Sequence, residues 1–306
     1  FGNCLSLSSK LAVYKNILAD LHETSLGEYS KNGLQPRTLS IPIIHPKSNH
    51  FKQHQTTSNH FQPPPTTSNH IMTTQEILKE LESYANASIK KIYLNHGARE
   101  PFFGVKVEDL KKIQKRVKKD YALALELYDT RNSDAMYLAG LIADEKKMTK
   151  ADLNHWAKNA YWYMISEYTV PWVAAESNFG HELALEWIQS DQENIASAGW
   201  NTYACLLALT PDEKLDKAEI KAFLEQIEKS IHQAQNRVRQ TMNGFVIAVG
   251  GGVPDLTELA KETGNKIGIV TVDMGGTACK TPYSPEYIDK IIKRGALGKK
   301  KKTVRC

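Results

Sequence analysis

The side chains best suited to chemistry lie in one aromatic block, Trp156–Trp172. It contains three of the five tryptophans and three of the thirteen tyrosines of the chain. Their rings can pack against flat or cationic groups, and an alkylated nucleic-acid base is both. Glu167 is the only acid in the block. A carboxylate among aromatic faces can stabilise a developing positive charge, so Glu167 is the first catalytic candidate.

Positive charge is concentrated in two basic blocks of a chain whose net charge is +5. The first block comprises Lys106, Lys111, Lys112, Lys115, Arg116, Lys118 and Lys119, and the second comprises Lys290, Lys293, Arg294, Lys299, Lys300, Lys301, Lys302 and Arg305. Such blocks can neutralise phosphates. Each alone is equally typical of a solvated helix face or a solubilising tail. Together with the aromatic block, they favour a nucleic-acid partner.

Other classes of protein are disfavoured by the composition. No run of about 18 apolar residues is present, so we expect no transmembrane helix and no membrane partner. The N-terminal residues lack the order of a signal peptide. The cysteines are far apart and form no CxxC pair, so we expect a reducing compartment, cytoplasmic localisation and no metal site; they are Cys4, Cys205, Cys279 and Cys306.

Residues 1–71 differ from the rest of the chain. They repeat SNH with a period of ten and carry three consecutive prolines, Pro63–Pro65. Polar sequence of low complexity cannot bury enough apolar surface to fold, so we expect a disordered extension outside the functional unit, which begins at Met72. The histidines of this segment lack a cysteine or acid that would complete a metal site. We expect the repeat domain to span 72–295 and a basic tail to span 296–306.

After Met72 the apolar spacing is helical almost throughout. N-cap signals stand at Thr73 or Thr74, at Ser133, and at Thr149 followed by Asp152. We predict a helix from Pro171 toward Ile188, and further helices at about 74–86, 192–209, 216–231, 233–248, 254–263 and 284–294. Antiparallel helix pairs of about 40 residues are typical of HEAT-type arrays. The predicted fold is all-α, a HEAT-like helical repeat solenoid with a disordered N-terminal extension.

Two glycine-rich segments imitate phosphate loops. VIAVGGGVPDL at 246–256 lacks the spacing of a nucleotide-binding motif, and a helix end followed by a turn explains it better. IVTVDMGGTACK at 269–280 resembles the DxGGT loop of actin-like sugar kinases, but only 26 residues follow Lys280. We expect a turn there, with Asp273 or Thr277 as its cap. A kinase would require an ordered strand–loop–strand at 269–277.

FFGVKVEDLKKIQKRVKKDY at 102–121 resembles the opening of the DNA alkylation repair family, the AlkD-like DNA glycosylases. The resemblance continues through SDAMYLAGLIA, the aromatic block, IASAGWNTYACLLAL and NRVRQTMNGFVIAVG, and covers about 72–295. It implies a C-shaped repeat array whose basic concave face holds double-stranded DNA. It also implies hydrolysis of the glycosidic bond of N3- or N7-alkylated purines, without base flipping and without a cofactor.

The same resemblance assigns roles to individual residues. The family's W-x-x-x-D segment falls on Trp162 and Ser166, with Glu167 one residue later, and its W-x-x-R falls on Trp200 and Tyr203. If the protein is active, Glu167 stabilises the positive sugar or positions water, and Trp162 and Trp172 flank the lesion. Further substrate contacts are expected from Tyr163, Arg237 and Arg239, and backbone phosphate contacts from Lys106, Lys111, Lys115 and Lys119.

Two hypotheses follow. One is a monomeric, DNA-binding glycosylase of altered site; the other is a catalytically inactive HEAT-like scaffold that binds DNA structures or a protein. Trp156, Trp187 and Trp200 have apolar neighbours at helical spacing and also fit a core. His96 and Arg99 lie in a turn before the strongest match, and no catalysis is expected from them.

Overall fold

The computed structural model describes residues 72–305, and its regular elements in this range are all helical. The α-helices are α1 (Thr74–Ser83), α2 (Ala87–Asn95), α3 (Val107–Val117), α4 (Tyr121–Asp129), α5 (Ser133–Ile142), α6 (Lys150–Asn159), α7 (Val170–Glu176), α8 (Gly180–Ile188), α9 (Glu193–Leu209), α10 (Lys217–Ser230), α11 (Asn236–Gly252), α12 (Thr257–Ile267) and α13 (Ser284–Lys293). A π-helical turn, Ile165–Thr169, precedes α7. The predicted extension 1–71 lies outside the described residues.

From α4 onward the helices pair in sequence, and the second helix of each pair contacts that of the next. We call α5, the π turn with α7, α9, α11 and α13 the central row. These helices are the parallel members of successive antiparallel pairs, so their N-terminal ends share one edge of the array and their C-terminal ends the other. The predicted all-α class and the pairwise helical repeat are confirmed. In residues 72–305, no helix is both long and apolar enough to cross a bilayer.

The core forms two clusters that meet at α8. Leu183 and Trp187 belong to the cluster built mainly from α1 to α7, whereas Ala184 and Ile188, on the adjacent face of α8, belong to the cluster built from α9 to α13. Trp156 is fully buried in the first cluster, where its ring stacks on Tyr128 with centroids 4.2 Å apart. The core placement predicted for Trp156, Trp187 and Trp200 is confirmed.

Two of the three predicted capping signals are confirmed. Thr149 forms the expected capping box with Asp152, and the predicted cap Thr73 also forms a capping box, with Glu76. The predicted cap Ser133 is wrong, because the side chain of Asn132 accepts the N–H groups at the start of α5. The first N–H groups of a helix have no partner within the helix. Asn caps them as effectively as Ser does, and Asn132 stands one residue before Ser133.

Two predicted helices differ in the structure: one is shorter than predicted, and the other is divided. The helix expected at 74–86 ends at Ser83, because Asn86 caps a second helix through the N–H of Ile89. The helix expected from Pro171 to Ile188 is broken after Glu176, where the Ser177 hydroxyl donates to the carbonyl of Ala174 at 2.7 Å. Ser and Asn bond their own neighbouring backbone and so compete with helix continuation.

The two glycine-rich segments have structural roles. The first is the end of α11 followed by a turn at Pro254–Leu256, as predicted. Gly250 and Gly251 allow close approach of α13, because an added Cβ would lie 2.4 Å from Ile288 and 2.8 Å from Ile291. The second lies in the segment 268–283, where Asp273 accepts the N–H of Gly275 at 2.8 Å, as a turn-forming aspartate does. Residues 269–277 contain no strand. The turn is therefore confirmed, and the arrangement that a kinase requires is missing.

Candidate functional site

The backbone of the aromatic block is distorted at its acid. In the π turn the N–H of Val170 donates to the carbonyl of Ile165, five residues earlier. Pro171 has no N–H to offer the carbonyl of Glu167, its partner in a regular α-helix. That carbonyl instead accepts the side-chain amide of Asn201 at 2.7 Å. The distortion therefore has a cause in the sequence, and a residue of α9 compensates for it.

The Glu167 carboxylate is bound by Arg237, the second residue of α11. The guanidinium Nε lies 2.6 Å from Oε1 and Nη2 lies 2.7 Å from Oε2, a bidentate pair. Only 3 % of the Glu167 side chain and 18 % of the Arg237 side chain are exposed. Burial raises the pKa of Glu167 above its ordinary value, against the opposing effect of the Arg237 charge. Both carboxylate oxygens are thus engaged by protein.

The ion pair is covered on two sides. The Arg237 guanidinium lies over the ring of Tyr163, 4.4 Å from its centroid, and its Nη1 is 3.4 Å from the sulfur of Met274. Tyr163 in turn bonds Nδ1 of His96 through its hydroxyl, at 3.1 Å. A cation held between an aromatic ring and a thioether is well shielded from solvent.

Met274 belongs to the segment 268–283, which crosses the N-terminal edge of the central row. Asn236 holds this segment through two hydrogen bonds to the backbone of Asp273, at 2.7 and 2.9 Å. The N–H of Gly276 donates to the carbonyl of Asn95 at 3.1 Å. The segment therefore connects α11 with the end of α2 and closes over Arg237.

The other predicted residues of the aromatic block pack against protein. Ser166 is buried, and its N–H donates to the carbonyl of Trp162 at 3.0 Å. Trp162 donates its ring N–H to the carbonyl of His96 at 2.9 Å and tilts against Tyr93. Trp172 meets Tyr137 edge-on at 5.5 Å. Each of these two tryptophans is only 5 % exposed, so neither presents a face on which a base could stack.

Trp200 and Tyr203 belong to the second core cluster. Trp200 is 1 % exposed, with its ring edge-on to Phe223 and Phe245. Tyr203 is 2 % exposed and donates its hydroxyl to the carboxylate of Glu219. Burial and that carboxylate raise the pKa of Tyr203. The expectation that these side chains contact a substrate conflicts with this placement, because the core already surrounds both.

Some of the side chains predicted to contact phosphates are bound to other protein groups, and others are not. Arg237 is taken up by Glu167, and the half-buried Arg239 bonds Asn236 at 3.4 Å. Lys106 lies 3.5 Å from Glu108, and Lys119 bonds Glu145 at 2.6 Å. Within residues 72–305, Lys111 and Lys115 have no acidic partner, and Lys115 is exposed.

Cations missing from the predicted set lie beside the site, at the N-terminal edge. Arg99, Arg131 and Lys158 are all exposed. Arg99 donates to the carbonyl of Tyr161 at 3.1 Å, and the Tyr161 hydroxyl donates to the carbonyl of Arg131 at 3.0 Å. Nothing in their local sequence indicates this grouping, because it depends on how successive repeats align.

The most specific part of the family resemblance builds the turn beside these cations. The buried carboxylate of Asp134 accepts the N–H groups of Phe103, Gly104 and Val105 at 2.6, 2.9 and 3.1 Å. Gly104 has φ +82°, and a Cβ there would lie 2.7 Å from the backbone of Lys90. The FFGVKV and SDAMYLAG segments are therefore two halves of one structural contact.

Helix pairs that each pack on the next pair along one row define the class of HEAT-like repeat proteins. The sequence profile of the DNA alkylation repair enzyme family matches residues 77–263. The chain belongs to this family.

Two further proteins and a solved structure are similar to this chain over most of its length. Two uncharacterized proteins, Lin0241 of Listeria innocua and Lmo0209 of Listeria monocytogenes, are each 31 % identical over 230 residues, which is 73 % of this chain and 99 % of theirs. A solved structure is 39 % identical, with a TM-score of 0.71 over 77 % of this chain and 100 % of its own. It is described as representing a new family related to the HEAT-like repeat DNA glycosylases, with affinity for branched DNA structures.

Proposed function

We propose that this protein binds branched DNA and does not hydrolyse glycosidic bonds. The proposal selects the second of the two sequence hypotheses, the inactive scaffold, and gives it a DNA ligand. One observation carries it: the only acid of the aromatic block is buried and bound at both oxygens by Arg237.

The chemistry of base excision explains why this pair matters. Departure of an alkylated purine leaves positive charge on the sugar, and a carboxylate stabilises that charge only where it can approach it. The Glu167 charge is already matched by a guanidinium, and the side chain is 3 % exposed. Ser166, at the position where the family has its acid, carries no charge.

DNA binding is supported by other groups. Arg99, Arg131 and Lys158 are exposed along the N-terminal edge, and Lys111 and Lys115 have no acidic partner among the described residues. Such cations can contact phosphates without reading a base. The affinity for branched DNA described for the similar structure supports a ligand with more than one duplex arm.

The full chain tests both parts of the proposal. Binding to a four-way junction and to a linear duplex of equal length is measured as a function of salt, and release of N3-methyladenine and N7-methylguanine is measured on alkylated DNA. We expect tighter binding to the junction, weakening as salt rises, and no base released above the rate without protein.

The matched variant is Glu167→Gln with Arg237→Gln, which removes both charges and so leaves neither buried alone. It should bind the junction like the wild type. Base release by the wild type that this variant loses would instead establish a glycosylase in which Glu167 acts. Equal affinity for junction and linear duplex would remove the proposal of branched-DNA binding, and an affinity that does not fall with salt would contradict phosphate contacts.

A further inference from the structure

The chain from 296 to 305, the tail, follows the C-terminal edge of the central row. Its backbone N–H groups donate to the carbonyl of Gly251 at the end of α11, and to that of Ala208 at the end of α9. Further on, the N–H of Val304 donates to Glu176 in α7 at 2.9 Å. Arg305 reaches the carbonyl of Ala143, just after α5, at 2.6 Å. The tail therefore contacts four helices of the row in succession.

Two cations of the tail point inward and fasten it. The Lys300 ammonium donates to the carbonyls of Leu207 and Gly252, each at 2.8 Å. Carbonyls at helix C-terminal ends lack partners in the helix and attract cations. Arg305, whose side chain is 7 % exposed, bonds Glu145 at 2.8 Å and lies 3.0 Å from Glu176.

The remaining cations of the tail point outward. Lys299, Lys301 and Lys302 are exposed and have no acidic partner within residues 72–305. The nearby acids are engaged: Asp212 by Lys300 at 2.7 Å, and Glu145 and Glu176 by Arg305. The inward cations thus neutralise the local carboxylates, and the outward lysines form a surplus of positive charge on an ordered backbone.

The first basic block joins the second at Glu145. This carboxylate also accepts Lys119 at 2.6 Å, and the N–H of Asp120 donates to the carbonyl of Ile142 at the end of α5. The neighbouring Lys118 is exposed. Segments about 180 residues apart in the sequence therefore lie side by side at the C-terminal edge.

Lys118 has a backbone conformation that suits glycine. Its φ is 64° and its ψ is −133°, and the corresponding position after α12 is Gly268, with φ 64° and ψ −144°. An L-residue is strained in this region, and strain of this kind is a marker of sites where the side chain has a function. The lysine at 118 is thus kept at a cost in stability.

We propose that Lys118, Lys299, Lys301 and Lys302, the basic edge, bind the phosphate backbone of a second duplex arm of branched DNA. The inference rests on the proposed function. The tail crosses α11 at its last residues, whereas Arg237 is near its first, and 17 residues of helix separate the two edges by about 25 Å. A straight duplex on one edge does not reach the other, but the arms of a junction diverge.

The test compares Lys299→Gln, Lys301→Gln and Lys302→Gln, combined in the full chain, with a control of equal charge change. The control combines Lys79→Gln, Lys221→Gln and Lys229→Gln, three exposed lysines of α1 and α10. We expect junction affinity to fall about tenfold or more in the tail variant, and the slope of log K against log salt to shrink by about 2.7, or about 0.9 for each phosphate contact. The affinity of the tail variant for linear duplex, and the affinity of the control variant for the junction, should each change by less than about threefold.

Lys118→Gly is the second variant, and a purely structural role cannot explain its expected result. It should raise Tm, because glycine relieves the strain, and yet weaken junction binding. If the wild type prefers the junction but both variants bind it with unchanged affinity, the proposed role of the basic edge is wrong and the proposed function stands. A wild type without that preference would instead remove the proposed function. Loss of binding to phosphatidylserine vesicles with junction affinity unchanged would assign the edge to a membrane surface and also overturn the proposal.

Discussion

The two edges of the central row both carry helix ends and basic side chains, but they differ in how their acidic side chains are paired. At the N-terminal edge, Arg237 encloses Glu167, and cover from Tyr163 and Met274 buries the pair. At the C-terminal edge, Lys300 and Arg305 take up the acids, and further lysines remain exposed beside them. The same pairing of charges therefore buries a carboxylate at one edge and leaves a cationic surface at the other.

The difference shows that residue type alone does not define a site in this molecule. Glu167 has the chemistry of a catalytic acid, but its side chain is 3 % exposed and both of its oxygens bind Arg237. Lys299, Lys301 and Lys302 resemble an ordinary solubilising tail, but their backbone is fixed against α9 and α11. The charge exposed at each edge is the charge that remains after the internal ion pairs are formed.

The largest effect is expected when the enclosed pair of the N-terminal edge is broken. Arg237→Ala leaves Glu167 buried without a counter-charge and should lower the free energy of unfolding by about 3–5 kcal/mol. Urea unfolding measures the loss. Glu167→Gln with Arg237→Gln should cost clearly less, and an equal cost for both variants would contradict an ion pair in which charge matters.

A second carboxylate of the same edge should matter less. Asp134→Asn keeps the shape but replaces the charged acceptor of three backbone N–H groups, so we expect a loss of about 2–3 kcal/mol in urea unfolding. Asp109→Asn, at an exposed i,i+3 pair with Lys112, is the control and should change stability little. A similar small loss at Asp134 would show that the FFGV turn holds without it.

At the C-terminal edge, Lys300→Met tests whether an inward cation fastens the tail. The thioether keeps the length of the side chain but gives no donor to the carbonyls of Leu207 and Gly252, so we expect a loss of about 1–2 kcal/mol. Lys301→Met is the matched control, because its side chain is exposed. Equal losses would mean that the ammonium of Lys300 is not an anchor.

The smallest loss of stability is expected for Gly268→Ala, which measures how much the backbone conformation shared with Lys118 costs a residue that has a Cβ. Gly268→Ala introduces a Cβ at nearly the same φ and ψ, with no atom within 4 Å of it, so the backbone alone resists. We expect thermal unfolding to show a loss on the order of 1 kcal/mol. No loss would remove strain as an argument for the lysine at 118.

The helices follow from local signals, because their caps and apolar spacing lie within a few residues of one another. Bounds such as Glu193–Leu209 agree closely with the predicted 192–209. The π turn was not predicted, because Pro171 is also compatible with the first turn of a regular helix. It takes Asn201, a residue of another helix, to stabilise the distorted form.

The side-chain contacts of the site are harder to predict from the sequence than the helices are. Arg237 is 70 residues from Glu167, and no pattern in either segment pairs them. Lys300, which points inward, and Lys301, which points outward, each have a lysine on both sides in the sequence. Only the carbonyls of distant helices distinguish Lys300 from Lys301.

The tail also changes how the array holds together. A stack of helical repeats stabilised only by adjacent contacts frays from its ends, one repeat after another. The tail forms hydrogen bonds both with α11 and with the residue that follows α5, although α7 and α9 lie between these two helices. Opening of any one of these helices loosens a segment on which the others depend. Slow amide exchange in α5, α9 and α11 should therefore be lost as one cooperative unit.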